Sequence, residues 1–320
     1  MHARTYLSPM PDTILRHPNA SDGLPVHVPW HSRAMFLGCG FDSQTLTFKP
    51  SSPFSHTEDI AIFHADQDAS GSCVQASSSQ SRHSTEHVDL RFRGSIGNAI
   101  VGGSAHGSYT KSVSENGDSA KLSTRSSLRI GTIRMKHVPQ LSSEAITMLQ
   151  RVGGHDHFLH AYGDFYVASM VVGADNALFL SYNSHDSAKL EDFNVKIEGH
   201  LLGVGVDKPI ASLEKAAAAG CDIALEAFDS LWDKTESQQF AAATSQHPQY
   251  EGIRDSAMLY DEAGKLLSAR LRQKTGLSNA DQELNSRDVV RLSTEGTIAE
   301  IVLLPIRNLR QFAELRAAVA

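Results

Sequence analysis

Tyr162-Gly163-Asp164-Phe165-Tyr166 runs without a break into Val167-Ala168-Ser169-Met170-Val171-Val172-Gly173-Ala174. The segment before it, residues 141–160, places Ala145, Met148, Leu149 and Val152 at helical spacing. Ser142 or Ser143 is placed to cap that helix, and Glu144 falls in the first turn, where a carboxylate meets the positive end of the helix dipole. The passage therefore reads as a helix that delivers the chain through a tight glycine into a long apolar strand. Gly163 and Gly173 flank the start of that strand, and both suit a sharp bend of the backbone.

Working outward, Leu128 and Ile130 alternate with polar residues until Gly131 shifts the pattern to Ile133 and Met135. Val88, Leu90 and Phe92 alternate upstream, and Phe193, Val195 and Ile197 do so downstream, as does the run from Cys221 to Phe228. Residues 65–86 are rich in Ser, Gln and Asp and predict a loop or insertion. Ala34-Met35-Phe36-Leu37 predicts a strand, followed by a Gly38-Cys39-Gly40 kink and Phe41. Residues 209–220 predict a short helix closed by glycine, and residues 252–277 predict a mostly helical stretch. Residues 297–304 are nearly continuous in apolar character and predict a strand buried on both faces, followed by a terminal helix over 309–319. Three regions follow: a Pro-rich irregular arm over 1–30, a core over 31–235, and a helical and strand-bearing segment over 236–320 packed on that core.

In this setting Tyr162 to Tyr166 resembles the signature of the membrane attack complex/perforin (MACPF) superfamily. Its members carry Tyr-Gly-Thr-His-Tyr ahead of an apolar strand and a Gly-Gly pair. Here Asp164 stands in place of the threonine, Phe165 of the histidine and Ala174 of the second glycine. Leu37-Gly38-Cys39-Gly40-Phe41 is similar to the Leu-Gly-x-Gly-aromatic element that opens such domains. The resemblance implies an α+β fold: a bent, twisted antiparallel sheet flanked by two helical clusters, with a mostly helical C-terminal segment. It places the first cluster at residues 102–121, from Gly102 through Tyr109 and Val113 to Lys121. The second lies at residues 200–219, from His200 through Val204 and Val206 to Ala219. In the family each cluster unfolds into an amphipathic β-hairpin, and the hairpins of an oligomer close into a membrane barrel. The implied partners are membrane lipid, further copies of the chain and a targeting partner protein.

A closed barrel is the one way to carry strands through lipid with every backbone group paired. Each strand needs ~9–11 residues with alternating lipid-facing positions. Ala105, Gly107, Tyr109 and Val113 share one parity, but Lys111 and Glu115 share it too. A lysine facing lipid at the midplane costs ~2–4 kcal/mol, a glutamate less. Val204 and Val206 alternate until Lys208 and Pro209 interrupt them. These residues leave a second reading open, a non-lytic protein that keeps the fold for binding or assembly.

Composition narrows the alternatives. The chain has 320 residues, 41% of them hydrophobic and 20% charged, with a formal charge of −7 and no Lys/Arg stripe, which argues against nucleic acid as a partner. No run approaches the ~20 apolar residues of a spanning helix. Residues 1–29 carry prolines and histidines where a signal peptide needs an apolar core. The expectation is a chain made without a conventional leader, cytoplasmic or released by another route, and membrane-associated once oligomeric. Cys39, Cys73 and Cys221 are widely spaced and suit a reducing compartment.

No catalytic set emerges, and no cofactor is expected. His157 and His160 lie three apart on the predicted helix, and His155 and Asp164 are the nearest further metal ligands. The helical zinc motif instead places two histidines four apart beside a glutamate, so a solvated helix end is the preferred reading. Asp229 and Asp233 flank Leu231-Trp232 in the manner of paired glycosidase acids, but two acids on a turn read as surface residues. Trp30, Trp232, Tyr182 and Phe193 serve equally as interface aromatics or as core residues.

Overall fold

The structure, a computed structural model, describes residues 23–30, 34–45, 47–55, 61–66, 71–78, 120–151, 153–183, 222–232, 235–236, 238 and 266–319. Its strands are β1 (Val26–Pro29), β2 (Gly40–Asp42), β3 (Thr47–Phe48), β4 (Ala61–Ala65), β5 (Gly71–Ser78), β6 (Ala120–Met135), β7 (Phe165–Asn183), β8 (Asp222–Asp229), β9 (Gln282–Leu284) and β10 (Ile298–Pro305). Its helices are α1 (Ser143–Leu149), α2 (Gly154–Tyr162), α3 (Leu267–Thr275), α4 (Ser286–Thr294) and α5 (Arg310–Val319). All ten described strands belong to one antiparallel sheet, so the class is α+β.

β6 and β7 organise that sheet. They pair from Ala120 opposite Tyr182 down to Arg134 opposite Ser169, and each changes its outer neighbour midway. β6 pairs with β5 over Lys121–Leu128 and with β4 over Gly131–Met135. β7 pairs with β8 over Asn176–Asn183 and with β10 over Phe165–Val172. The lower tier therefore has the order β1-β10-β7-β6-β4-β9, and the upper tier is a four-strand ribbon, β5-β6-β7-β8.

Two irregularities keep apolar residues on one face through the change of tier. The β6–β7 register skips Ile130, so Leu128, Ile130 and Ile133 all enter the main core despite their mixed parity. The β10–β7 register skips Ala168, which lets Phe165, Val167, Met170, Val172 and Ala174 share the same core. A second core lies around Tyr166 and gathers Phe54, Leu141, Ala145, Leu149, Phe158, Tyr162, Ile306 and Phe312. β10 is served by both, with Ile298, Ile301 and Leu303 in the first and Leu304 packed against the second.

Several expectations change. The predicted helix over 141–160 is two helices, because Gly153 takes a left-handed conformation (φ 71°) and Gly154 tucks its α-carbon against the Met148 carbonyl. Ser142 is the cap of α1, its hydroxyl accepting from the Ala145 N–H at 3.1 Å. The run Ala34 to Leu37 is not a strand. Met35 N–H donates to Ser293 Oγ (3.0 Å), whose hydroxyl donates back to the Met35 carbonyl (3.4 Å), and just beyond the run Gly38 N–H donates to the Val167 carbonyl (2.8 Å). The arm over 1–30 is regular at its end, where Val26, Val28 and Trp30 alternate into the core and β1 adds to β10. The polar stretch 65–86 contains β5, whose pairing is set by its backbone ladder to β6 rather than by apolar pattern. The segment 236–320 does more than pack on the core: β10 is an interior strand of the lower tier and β9 its edge. The predicted strands over 88–92 and 193–197, the helix over 209–220 and residues 252–265 lie outside the described residues.

Candidate functional site

The two glycine-bearing motifs meet. Gly40 and Phe41 pair with Tyr166 and Phe165, and Val167 N–H donates to the Cys39 carbonyl at 2.9 Å. Gly163 caps α2 at φ 80°, its N–H donating to Leu159 C=O at 2.8 Å. A Cβ at Gly163 would overlap the Phe41 carbonyl, and one at Gly40 would overlap the Tyr162 carbonyl, so two backbones touch where neither can carry a side chain. Asp164 closes the joint. Its N–H donates to Phe41 C=O (3.0 Å), its C=O accepts from Ile306 N–H (2.9 Å), and its carboxylate accepts from Ser43 N–H (2.8 Å) and Ser43 hydroxyl (2.5 Å). Phe165 enters the main core, while Tyr162 and Tyr166 enter the second, Tyr162 tilted against Phe158 (5.0 Å) and Tyr166 edge-on to Phe54 (4.9 Å). Burial pushes both tyrosine hydroxyls above their ordinary titration range. Gly163 thus lies at the helix-to-strand turn, and Gly173 lies opposite Arg129 where the tiers change.

That second place is a corner built from glycine and charge. A Cβ at Gly173 would overlap the Leu128 carbonyl, and one at Gly131 would overlap the His64 carbonyl and the Phe63 ring. Arg129 grips Asp175 through two bonds, Nη1 to Oδ1 at 2.7 Å and Nη2 to Oδ2 at 3.1 Å, and its Nε donates to Glu300 Oε1 at 3.2 Å. Glu300 Oε2 also meets His27 Nδ1 at 3.2 Å. The His27 bond and the Arg129 charge hold the Glu300 carboxyl down to about 2. Burial alone would lower Arg129, but Asp175 and Glu300 raise it.

Across β7, Asp175 N–H donates to Ser230 Oγ (3.1 Å) and Ser230 N–H donates to Asp175 C=O (2.9 Å). Asp229, whose side chain is 0% exposed, accepts from Leu231 N–H (2.8 Å) and from Arg270 Nη1 of α3 (2.6 Å). Lys274 of the same helix donates to Leu231 C=O at 2.7 Å. Burial pushes the Asp229 carboxyl up more than Arg270 draws it down. Asp229 is a structural ion-pair partner here, not a surface acid, because a carboxylate this deep needs a compensating cation. Asp233 lies outside the described residues.

At the far end of the ribbon Ser78 faces Lys121, Ala120 faces Tyr182, and Asn183 faces Asp222. The intervals 79–119 and 184–221 therefore both leave from, and return to, the same end of four in-register strands. Each interval, roughly 40 residues, exceeds the ~20 that two spanning strands require. Lys121 lies within β6. Gly102, Tyr109, Val113, His200, Val204, Val206 and Ala219 lie outside the described residues.

Trp30 is a core residue, edge-on to Phe48 at 5.3 Å. His155, rather than facing solvent alone, lies against the Phe312 ring at 6.0 Å. Asp164 is taken up by Ser43. Sequence reading missed Ser43, Arg129, Asp175, Glu300 and Arg270. The one available signal was charge within an apolar pattern, since Asp175 follows the apolar run Val167 to Ala174, whereas Arg129 falls on the polar phase between Leu128 and Ile130 and gives none. Among the described residues no helix is long and apolar enough to cross a membrane.

No family model matches the chain, and no curated protein matches it. Among solved structures it is similar to stonustoxin, at 10% identity over 92% of this chain and 34% of that one, with a TM-score of 0.43. It is similar to GNIP1Aa from Chromobacterium piscinae at 12% identity over 92% of this chain and 56% of that one, TM-score 0.33. It is also similar to astrotactin-2, a vertebrate-specific and perforin-like membrane protein involved in neuronal development. That match has 10% identity over 62% of this chain and 36% of the other, TM-score 0.32. The chain thus spans between about a third and just over half the length of these proteins. All three likenesses are low in identity and in TM-score, and none transfers an activity to this chain.

Proposed function

We propose that this chain is a perforin-like protein that oligomerises on a membrane and forms a β-barrel pore with two hairpins per subunit. The hairpins are drawn from 79–119 and 184–221, the intervals that hold Gly102, Tyr109 and Val113, and His200, Val204, Val206 and Ala219. One observation carries the reading: both intervals are bounded by four in-register strand ends at one end of the ribbon. An interval that becomes a hairpin there extends the existing ladders without changing their register, and once the ribbons of an oligomer close into a barrel every backbone group is paired inside lipid. The joint between Gly40 and Gly163 supports the same reading, because it brings together the two motifs that resemble the family. Membrane lipid, further copies of the chain and a targeting partner protein are the proposed partners.

The test is dye release from liposomes of several lipid compositions, with microscopy for ring-shaped oligomers. Environment-sensitive labels at Tyr109→Cys, Val113→Cys, Val204→Cys and Val206→Cys are expected to move to an apolar setting on release. Neither release nor rings under any composition, with or without a partner protein, would defeat the proposal. Lys111 and Glu115 favour a second reading, a non-lytic assembly protein, since they share the parity of Tyr109 and Val113. Rings without release would select it.

A further inference from the structure

The corner is fastened unequally on its two sides. α3 belongs to the lower body: Leu267 and Leu271 are buried in the main core beside Leu277, and Arg291 donates to the Lys274 and Thr275 carbonyls at the helix end. β8 belongs to the ribbon, and among the described strands it pairs with β7 alone. Between them lies the turn from Asp229 to Leu231. It is held to α3 by Arg270 on Asp229 and Lys274 on the Leu231 carbonyl, and to β7 by the two Ser230–Asp175 bonds. Its apolar anchor is the single buried side chain of Leu231. Polar bonds exchange for water at small net cost, whereas pulling α3 off the core would expose several leucines at once. Of the two attachments of α3, the turn is therefore the one that yields first.

We propose that the docked Asp229–Leu231 turn is a lock that fixes the angle between the ribbon and the lower sheet. Undocking it frees the ribbon to swing about the Arg129–Asp175 corner while α3 and the lower sheet stay folded. The lock takes its purpose from the pore-forming reading, because a ribbon that delivers hairpins has to reorient. Its mechanics stand apart from that reading.

The experiment measures the distance between spin labels at Val138→Cys, on the lower body, and Ser77→Cys, near the ribbon end, in a Cys73→Ser/Cys221→Ser full-length chain. The wild-type lock is expected to give one distance. Asp229→Asn/Arg270→Gln, which removes both charges and keeps a polar side chain at each position, is expected to add a second, longer one. Hydrogen exchange at 222–231 should then rise roughly tenfold, the loss of a charge-assisted bond, while α3 and β10 keep their protection. Lys274→Met is the milder variant, and it decides the matter by the same readouts if the double variant fails to fold. An unchanged single distance in the variants that fold overturns the proposal, as does a second distance that appears only with loss of protection in α3 and β10. If the wild type releases liposome dye, the variants should shorten the lag, and an unaltered lag overturns the lock as a regulator. If the wild type releases none, the pore-forming reading fails while the distances still decide the lock.

Discussion

Below Gly131 and Gly173, β6 and β7 lie between β4 and β10, with buried core on both faces of β7; above those glycines the same strands continue between β5 and β8. The lower part is fixed by packing, by the back-to-back joint of Gly40 and Gly163, and by the clasp of Asp164 on Ser43. The upper part is defined by backbone ladders that end in register at Ser78, Ala120, Asn183 and Asp222. One pair of strands thus carries both a packed lower part and a ladder-paired ribbon, and Arg129, Asp175 and Glu300 meet where the two join.

The anchor is where substitution should cost most. Gly163→Ala combines a backbone conformation open essentially to glycine alone (φ 80°, ψ −174°) with overlap on the Phe41 carbonyl and is expected to lower unfolding free energy by about 3 kcal/mol or more in urea titrations. Gly153→Ala is the control, since Gly153 has similar φ but open space around it, and should cost only about 1–2 kcal/mol. Equal costs would show that the joint yields and that the anchor lies elsewhere.

The corner should respond next. Asp229→Ala removes the close partner of the Arg270 guanidinium and leaves it only the longer contact to Glu236 (3.6 Å), and is expected to cost about 2–4 kcal/mol by the same titration. Asp229→Ala/Arg270→Ala should recover part of that loss, because no unpaired charge remains. If the double variant were no better than the single, the pair would not be acting as a unit.

A smaller effect is expected with pH. The Glu300 carboxyl is held at about 2 in the folded chain against an ordinary value of 4.5. Its contribution is therefore present above 4.5 and lost as pH falls from 4.5 toward 2. Asp229 is shifted upward, so its protonation works in the opposite sense, favouring the folded chain as pH falls. Thermal melts should show Glu300→Gln losing less stability than the wild type on acidification, and Asp229→Asn losing more. The same slope in all three would remove the corner as a source of acid response.

The smallest difference needs no substitution. Amides of β7 over 165–172 are expected to exchange only by global unfolding, and those of β5 and β8, each paired on one side among the described strands, by smaller openings. Uniform protection would erase the distinction between anchor and ribbon.

Much of the lower tier was legible in the sequence. Helical character ahead of Gly163, though not its break at Gly153, the long strand after it, the phase shift at Gly131 and the strand over 297–304 follow from spacing, because periodicity records which face meets a core. The polar strand β5 was not legible, since its pairing rests on main-chain bonds that any side chain permits. The short β9 and the edge strand β1 were missed for a related reason, being too brief or too Pro-rich to show a period. Nor could spacing reveal that Asp229, beside a tryptophan on an apparent turn, is buried against an arginine 41 residues away.

By itself the sequence determined the order of helix, glycine turn and long strand around Tyr162 to Tyr166, since those depend on neighbours along the chain. It also determined that a glycine is needed at 163. Only the tertiary structure decided what that glycine faces, which charged residues meet at the corner, and that two distant intervals spring from one end of one ribbon. Those are contacts between residues far apart in the chain, and local periodicity carries no record of them.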